Sequence, residues 1–326
     1  MMKKLNKLFL LSLTLIFAVS LTGCKKDHKR EITTISIMTA NSNGSLYEIG
    51  QVLATLWNDN LPYIVATSYE TEGGVENLQA LDNGNGNIGF AVTSTAYEAY
   101  TGTGFFEQKA NKKLRVIAGL YYNPNQVVVT KESEIKTIND LVGKRFSPGT
   151  VGSTTLNEAV NHLAVQDIDM YNDCEIVYCN FSDSSKLMKQ GELDAAWIMA
   201  GIGNSAVMQM TQEANATLIS LSDSTIATLM SSYPWYVKYI IPAGTYYNQT
   251  EDIQTTAIKL VLLTSADVDD EVIYDLTKNF WENLDQIKKS SPSLQSISVT
   301  GAISDLSNLP IHDGAAKYYK EIDILK

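Results

Sequence analysis

The strongest constraint on the fold is an alternation of two residue patterns that begins near Ile32. Short runs rich in β-branched and aromatic residues alternate with longer segments in which apolar residues recur every three or four positions. This alternation is typical of α/β proteins, in which helices connect the strands of a sheet. Strands are predicted at 34–38, 63–67, 88–92, 114–121, 126–130, 175–181, 195–199 and 259–263. The clearest predicted helix is 270–288, because its apolar residues fall on one face.

Two segments are typical of crossings between lobes. One strand leads into another through Pro124 at 121–126, and the chain returns at about 250–263. A middle segment bounded by two crossings indicates one lobe inserted into another, and a chain of 326 residues with 44% apolar content is long enough for two domains. We predict a first lobe formed by 32–125 and 251–326, and a second formed by 126–250.

The first residues indicate export. Lys3, Lys4 and Lys7 precede an apolar run from Leu8 to about Val19, which is too short to span a bilayer that needs about 20 apolar residues. The sequence Leu-Thr-Gly that follows resembles a bacterial lipobox, whose cysteine receives a diacylglycerol. We therefore predict a signal peptide at 1–23, lipidation of Cys24, a tether at 24–31, and a location at the cell envelope, in the periplasm or on the outer face of the cytoplasmic membrane. An ordinary signal peptide followed by a chance cysteine is the alternative.

The charge balance restricts the partners. The chain has 36 acidic and 25 basic residues, a net charge of −11, and loss of the signal peptide would remove three lysines and no acids. Nucleic acid is therefore excluded as a partner. An anionic ligand would need a local site made by backbone amides or a few side chains.

Cysteines and histidines give no sign of a metal, a cofactor or a catalytic site. Cys174 and Cys179 lie in one β-prone run, where about 16 Å would separate their Cα atoms, so we predict that they do not pair. His28, His162 and His312 lack ligand spacing and are interpreted as surface or hydrogen-bonded residues. No nucleophile elbow, C-x-x-C, H-E-x-x-H or P-loop pattern occurs, so we predict a protein that is not an enzyme.

Three turns rich in glycine and hydroxyl residues each follow a predicted strand and precede a predicted helix. They lie at 43–45, 72–74 and 150–155. Each would place unpaired backbone N–H groups and a positive helix end at a sheet edge, where small anions bind. Helix capping alone is the alternative interpretation of each turn.

Aromatic residues form a second cluster along the sequence. Tyr121 and Tyr122 stand at the first crossing, and further aromatics lie at 233–236 and 246–247. Such side chains are common in ligand pockets, but they would also fit a role in packing the hinge.

A resemblance to one known family extends from about Thr34 to Tyr319, and nine short motifs occur in the order found in that family. They are Gly-Gly-Val-Glu-Asn-Leu at 73–78, Ala-Tyr-Glu-Ala-Tyr at 96–100, Gln-Val-Val-Val at 126–129, Asp-Leu-Val-Gly-Lys-Arg at 140–145, Gly-Ser with Thr155 at 152–155, Asp-Ala-Ala leading to Ala-Gly at 194–201, Tyr-Pro-Trp-Tyr at 233–236, Ile-Pro-Ala-Gly-Thr-Tyr at 241–246 and Asp-Gly-Ala-Ala-Lys-Tyr-Tyr at 313–319. This order resembles the TAXI solute-binding proteins of TRAP (tripartite ATP-independent periplasmic) transporters.

The resemblance implies a type II periplasmic-binding-protein fold, with two α/β lobes joined by a hinge around a ligand cleft. It also implies a TRAP membrane permease as partner and a small carboxylate ligand, similar to 2-oxoglutarate, glutamate or glutamine. Together with the turns and aromatics, it predicts these ligand-binding residues: Asn43, Gly44, Ser45, Tyr47, Gly73, Gly74, Thr93, Ser94, Tyr121, Gln126, Gly152, Ser153, Thr155, Gly201, Tyr233 and Tyr236. A binding protein of an ABC transporter, a lipid-anchored sensor or adhesin, and a lipid-anchored hydrolase are the alternatives.

Several positions depart from the family pattern. In the first turn, Asn41 and Asn43 replace glycines and Leu46 replaces an aromatic residue; Val92 and Ser94 replace a glutamine and an acid. The usual counter-ion of an α-ammonium group is therefore missing, so we predict a carboxylate ligand without an amino group. Glu72 stands where the family has glycine; it would either supply a counter-ion or cap a helix.

Overall fold

The computed structural model describes residues 30–40, 42, 45–290 and 294–326. The predicted signal peptide, Cys24, His28, Asn41, Asn43 and Gly44 lie outside these residues. The chain divides into a short N-terminal unit, residues 1–33, and one compact unit, residues 34–326. No helix in the described ranges is long and apolar enough to cross a membrane.

Strands and helices alternate through most of the compact unit. The strands are β1 (Thr33–Met38), β2 (Ile64–Tyr69), β3 (Ile88–Val92), β4 (Leu114–Thr130), β5 (Arg145–Ser147), β6 (Glu175–Ile176), β7 (Ala195–Met199), β8 (Ala216–Ile219), β9 (Val237–Ile241) and β10 (Ile253–Ser265). The helices are α1 (Ser45–Asn60), α2 (Gly74–Asn83), α3 (Thr93–Thr101), α4 (Thr154–Ala164), α5 (Met170–Asp173), α6 (Phe181–Gln190), α7 (Ser205–Glu213), α8 (Asp223–Ser232), α9 (Asp270–Glu282), α10 (Leu284–Ser290) and α11 (Asp313–Glu321). Short 3₁₀ turns include Thr300–Ile303.

One curled sheet connects both lobes. Its strand order is β2-β1-β3-β10-β4-β7-β5-β6, and β8 and β9 pair with β4 and β10. The two long strands, β4 and β10, run antiparallel from Leu114 opposite Ser265 to Pro124 opposite Ala257. Because β4 and β10 pair with strands of both lobes, they form the connection on which the lobes can move.

Each lobe buries apolar residues on both faces of its part of the sheet. Alternation along β4 shows this directly, since Val127 and Val129 belong to one core cluster and Val128 to another. In the first lobe, α1, α9 and α11 cover one face, while α2 and α3 cover the other. In the second lobe, α4 and α8 face α6 and α7 across the sheet. This three-layer arrangement confirms the predicted α/β class.

Several predicted elements are wrong in detail. The two strands expected around Pro124 are one continuous strand, because the proline has its position opposite Ala257 within the ladder. The strand expected at 175–181 has only two residues, and α6 begins at Phe181. The helix expected at 270–288 is interrupted at Asn283, which ends α9 before α10 begins at Leu284.

Candidate functional site

A cleft lies between the two lobes. Its volume is about 1010 Å³, at the upper end of the roughly 300–1,000 Å³ of common small-ligand pockets. Residues of both lobes and of the long strands line it. The first-lobe wall includes Gly74 and Thr95, the second-lobe wall includes Thr154 and Gly201, and Tyr121 comes from β4.

Five helices begin at this cleft. The first turns of α1, α2, α3 and α4, and the residues just before α7, contribute Ser45, Gly74, Thr95, Thr154 and Asn204 to its walls. Helix N-termini carry free N–H groups and a partial positive charge, so their convergence favours an anionic group.

The five starts differ in how they are capped. Ser153 Oγ accepts a hydrogen bond from Leu156 N at the start of α4 (3.2 Å), and Asn204 Oδ1 accepts from Ala206 N at the start of α7 (3.0 Å). Gly73 and Val92, which precede α2 and α3, make no side-chain cap hydrogen bond. The capping interpretation thus holds for Ser153, whereas the starts of α2 and α3 keep backbone donors for a ligand.

Lys259 supplies the only charged side chain among the described residues that line the cleft. Its side chain is buried in β10, and Nζ donates to the carbonyl oxygens of Gly301 (2.6 Å) and Ser304 (2.9 Å). Nζ also lies 4.7 Å from the centroid of the Tyr122 ring. Burial lowers the pKa of Lys259, but its partners are acceptors that suit an ammonium ion. The cleft of an acidic protein therefore carries a local positive charge.

The structure places the predicted ligand-binding residues in two groups. Ser45, Gly74, Tyr121 and Gly201 line the cleft. The other described ones lie outside its lining: Tyr47, Gly73, Thr93, Ser94, Gln126, Gly152, Ser153, Thr155, Tyr233 and Tyr236. Glu72 is exposed and is not part of the lining either. Contact between these residues and a ligand stays a prediction.

Some of the residues outside the lining support the cleft walls. Thr93 Oγ1 accepts a hydrogen bond from the backbone N of Lys259 (3.1 Å). Gln126 Nε2 donates to the carbonyl of Ala200 (2.9 Å), and Gln126 Oε1 accepts from Tyr246. These bonds fix the strand and loop beside the cleft.

Sequence reasoning missed other lining residues. Lys259 and Leu260 come from β10, and Gln295, Ser296 and Ser298 come from an irregular segment. A lysine inside the apolar run Ala-Ile-Lys-Leu-Val-Leu-Leu was a usable signal, because an isolated charge in a buried strand needs a partner or a role. The segment at 295–298 has no periodic pattern that could have placed it.

The aromatic cluster is split by the fold. Tyr121 and Tyr122 line the cleft. Tyr233, Trp235 and Tyr236 pack together behind it, and the Trp235 ring lies 5.5 Å from that of Tyr97 in α3. The second group therefore packs at the junction between the lobes, as the hinge interpretation expected.

A buried polar network fills the same junction. Asn125 Nδ2 donates to Glu158 Oε2 (3.0 Å), and Trp197 Nε1 donates to Asn125 Oδ1 (2.8 Å). His162 contacts the carbonyl of Glu158 through Nδ1 and Thr256 Oγ1 through Nε2, both at 2.6 Å. The network ties α4 to both long strands. His162 is thus hydrogen-bonded, as predicted, and His312 likewise accepts from Gly314 N at the start of α11 (3.1 Å).

Cys174 and Cys179 are both free, as predicted. The separation of about 16 Å expected for an extended strand does not apply, because β6 between them has only two residues. Cys179 Sγ lies 3.2 Å from Ser147 Oγ and 3.1 Å from Ser184 Oγ.

Known structures share this fold. The periplasmic aliphatic sulphonate binding protein SsuA from Escherichia coli matches with a TM-score of 0.51 and 18% sequence identity, over 91% of this chain and 84% of SsuA. XAC2383 from Xanthomonas citri, solved bound to ATP, matches with a TM-score of 0.53 and 9% identity, over 89% of this chain and 99% of XAC2383. The likeness confirms the predicted two-lobe fold of periplasmic binding proteins.

A family model gives a more specific result. Residues 37–322 match the NMT1-like family, a range that includes both lobes and every described residue of the cleft lining. The chain therefore belongs to the NMT1-like family.

Proposed function

We propose that this protein is an extracytoplasmic solute-binding protein, which captures a small anionic solute in the cleft and delivers it to a membrane permease. The observation that carries the proposal is the cleft itself, on which five helix N-termini and Lys259 converge. A ligand that contacts both walls would favour the closed arrangement of the lobes. This mode of action requires binding and release without a chemical reaction.

The proposed ligand is a small carboxylate without an amino group. Backbone N–H groups and an ammonium ion suit a carboxylate, and they suit the sulphonate group of SsuA's ligands equally well. Among the described lining residues there is no acidic side chain that could hold an ammonium group. Val92 lines the cleft at a position where the TAXI proteins usually have a glutamine, so the wall is apolar there.

An ABC-type permease is the partner that we favour. The family that matches is the NMT1-like family, whereas the TRAP partner rests on the resemblance to TAXI proteins alone. In proteoliposomes that contain the cognate permease, uptake should require ATP on the cytoplasmic side of that permease and should persist without an ion gradient. Uptake driven by a sodium or proton gradient without ATP would instead support the TRAP partner.

Lipid anchoring at Cys24 remains part of the proposal. It rests on the resemblance of 21–24 to a lipobox. Mass spectrometry of the mature N-terminus should find a diacylglyceryl cysteine, and an unmodified N-terminus would refute the anchor.

We expect 2-oxoglutarate to bind at least about tenfold more tightly than glutamate, because the cleft lacks a partner for the ammonium group and burying an unpaired charge is costly. Isothermal titration calorimetry of both ligands, with an alkanesulphonate as a third probe, measures the difference. Tighter binding of glutamate than of 2-oxoglutarate would refute the proposed ligand class. Tight binding of the alkanesulphonate alone would indicate that the ligand is a sulphonate and not a carboxylate.

The same titration tests the site. An ideal Cβ on Gly201 meets no atom within 4 Å, so Gly201→Trp should project into the cleft and abolish binding. Gly201→Ala is the matched control and should keep both affinity and stability. If no metabolite in a broad panel raises the melting temperature of the parent protein, the sensor or adhesin alternative is favoured instead.

A further inference from the structure

The loop 200–204, which connects β7 to α7, is part of the cleft wall and is held from behind by two buried side chains. Gln126 Nε2 donates to the carbonyl of Ala200 at the start of the loop (2.9 Å). Tyr246 Oη accepts from Gly203 N further along the loop (3.0 Å), and it donates to Gln126 Oε1. The two side chains and the loop therefore form a closed circuit of hydrogen bonds.

The donor and acceptor roles in this circuit are fixed. The N–H of Gly203 can only donate, so Tyr246 accepts there and directs its own proton to Gln126. The Gln126 amide oxygen thus faces Tyr246, and its NH₂ group faces the carbonyl of Ala200. Both side chains are almost completely buried, with 1% of Gln126 and 3% of Tyr246 exposed. Loss of one hydrogen bond would therefore leave a buried polar group without a partner.

Tyr246 is itself held by the chain around it. Its backbone N donates to Gln249 Oε1 (3.2 Å). Gln249 Nε2 donates in turn to the carbonyls of Ile241 (3.2 Å) and Pro242 (3.0 Å). Gln126 belongs to β4, which pairs with β7 directly before the loop. These residues all lie in the second lobe, so the circuit does not require the lobes to close.

The loop offers backbone donors to the cleft. The N–H groups of Gly201 and Ile202 have no hydrogen-bond acceptor within the described part of the chain. An ideal Cβ on Gly201 meets no atom within 4 Å, so there is open space beside the loop. Gly203 has a φ of 77°, which glycine adopts readily. With a glycine on each side of Ile202, local sterics restrict the loop little, so contacts from behind must fix where its N–H groups lie.

We propose that the circuit positions the loop so that the N–H groups of Gly201 and Ile202 bind the anionic group of the solute. Tyr246 and Gln126 are then positioning residues of the anion site. Gln126 acts from behind the cleft wall, in place of the direct ligand contact that the sequence predicted. Donors that are fixed before binding lose little freedom when the ligand arrives, so the circuit raises the affinity. This inference rests on the proposed function, because it assigns the donors to the same anion.

Amide hydrogen exchange of the ligand-free protein, followed by nuclear magnetic resonance, tests the circuit itself. Tyr246→Phe keeps the aromatic ring but lacks the hydroxyl, so the Gly203 amide should exchange at least about tenfold faster. Tyr247→Phe is the matched control, because the neighbouring Tyr247 is 54% exposed and lies outside the cleft lining. It should leave the exchange unchanged. Gln126→Met opens the circuit on its other side and is a second variant for every measurement.

Calorimetry with 2-oxoglutarate and with an alkanesulphonate tests the connection to the ligand. Tyr246→Phe and Gln126→Met should each weaken binding of the probe that the parent binds by about tenfold. The double variant should bind no more weakly than either single variant, because both substitutions act through one loop. In the parent, the amide signals of Gly201 and Ile202 should shift when the probe binds. A general loss of stability would lower the melting temperature without removing these shifts.

Four results would overturn the positioning role and leave the proposed function intact. They are unchanged exchange of the Gly203 amide in Tyr246→Phe, equal affinity in the parent and this variant, additive losses in the double variant, and unshifted signals of Gly201 and Ile202 in the ligand-bound parent. Absence of binding to the parent would instead count against the proposed ligand class, and it would overturn the role of the loop donors as well.

Discussion

Acidification from pH 6.5 to pH 3 should lower the free energy of unfolding by roughly 4 kcal/mol through His162 alone. Burial lowers the pKa of His162 from 6.5 to about 3 in the folded protein. In this pH window the unfolded chain binds a proton that the folded protein excludes. The stability contributed by neutral His162 is therefore complete above pH 6.5 and is lost as the pH falls through the window.

Burial keeps the His162 ring neutral, and its two hydrogen bonds define which ring nitrogen carries the proton. The carbonyl of Glu158 can only accept, so Nδ1 carries the proton of the neutral ring. Nε2 then accepts from Thr256 Oγ1, which itself accepts from Asn125 Nδ2 (3.2 Å). The rings of Trp197 and Tyr236 lie 4.8 and 4.9 Å from the imidazole and exclude water. A second proton would enter a site without solvent, and among the described residues no carboxylate is hydrogen-bonded to the ring.

Denaturant unfolding of the parent and of His162→Gln across this pH range isolates the effect. Glutamine can donate to the Glu158 carbonyl and accept from Thr256, but it does not titrate. Because the substitution itself changes stability at pH 7, the quantity to compare is the slope of the free energy of unfolding against pH in the two proteins. Parallel curves would show that His162 does not titrate differently on folding.

Glu158 changes the free energy of unfolding with pH in the opposite direction to His162. Its raised pKa means that the folded protein binds a proton more readily than the unfolded chain, so this contribution is lost as the pH rises through about 7. The His162 contribution changes between about pH 3 and 6.5, and the Glu158 contribution changes between about pH 4.5 and 7. Between about pH 4.5 and 6.5 the two contributions change stability with opposite slopes, which cancel. The pair therefore contributes a plateau there, with a decline on either side.

Local patterns were sufficient for part of the fold. β3 and β7 have the predicted bounds, because each is a buried apolar run enclosed by turn residues. The short strands β5, β8 and β9 were missed, since three to five residues of mixed character do not differ from loops until a neighbouring strand pairs with them. The break at Asn283 was also missed, because apolar residues continue on the same face in α10.

The sequence predicted helix starts at the cleft, but it did not predict the lining residues that come from β10 and from 295–298. Glycine and hydroxyl residues before a helix are a local signal, and it led to Ser45 and Gly74. The polar residues at 295–298 and the lysine of β10 meet at the cleft only after the strands have paired and the chain has returned from the second lobe. Such contacts between distant residues leave no periodic trace in one sequence.

Lys259→Met is expected to lower the free energy of unfolding by roughly 2–4 kcal/mol and to weaken anion binding at least about tenfold. Methionine fills a similar volume, so packing changes little. It removes the hydrogen bonds that connect β10 to the carbonyls of Gly301 and Ser304, and hydrogen bonds to charged groups contribute about 1.5–3 kcal/mol each. It also removes the positive charge of the cleft.

Lys259→Arg should not restore the site. Lysine Cε already lies 3.0 Å from an ideal Cβ position on Gly119, which shows how little space the larger guanidinium would have. Lys109→Met removes an exposed lysine outside the cleft and serves as the matched control. Denaturant unfolding and calorimetry with the same anion measure the two effects separately. Loss of stability with unchanged affinity would mean that Lys259 supports the strand and the turn without contributing its charge to the ligand, whereas loss of both would make it part of the anion site.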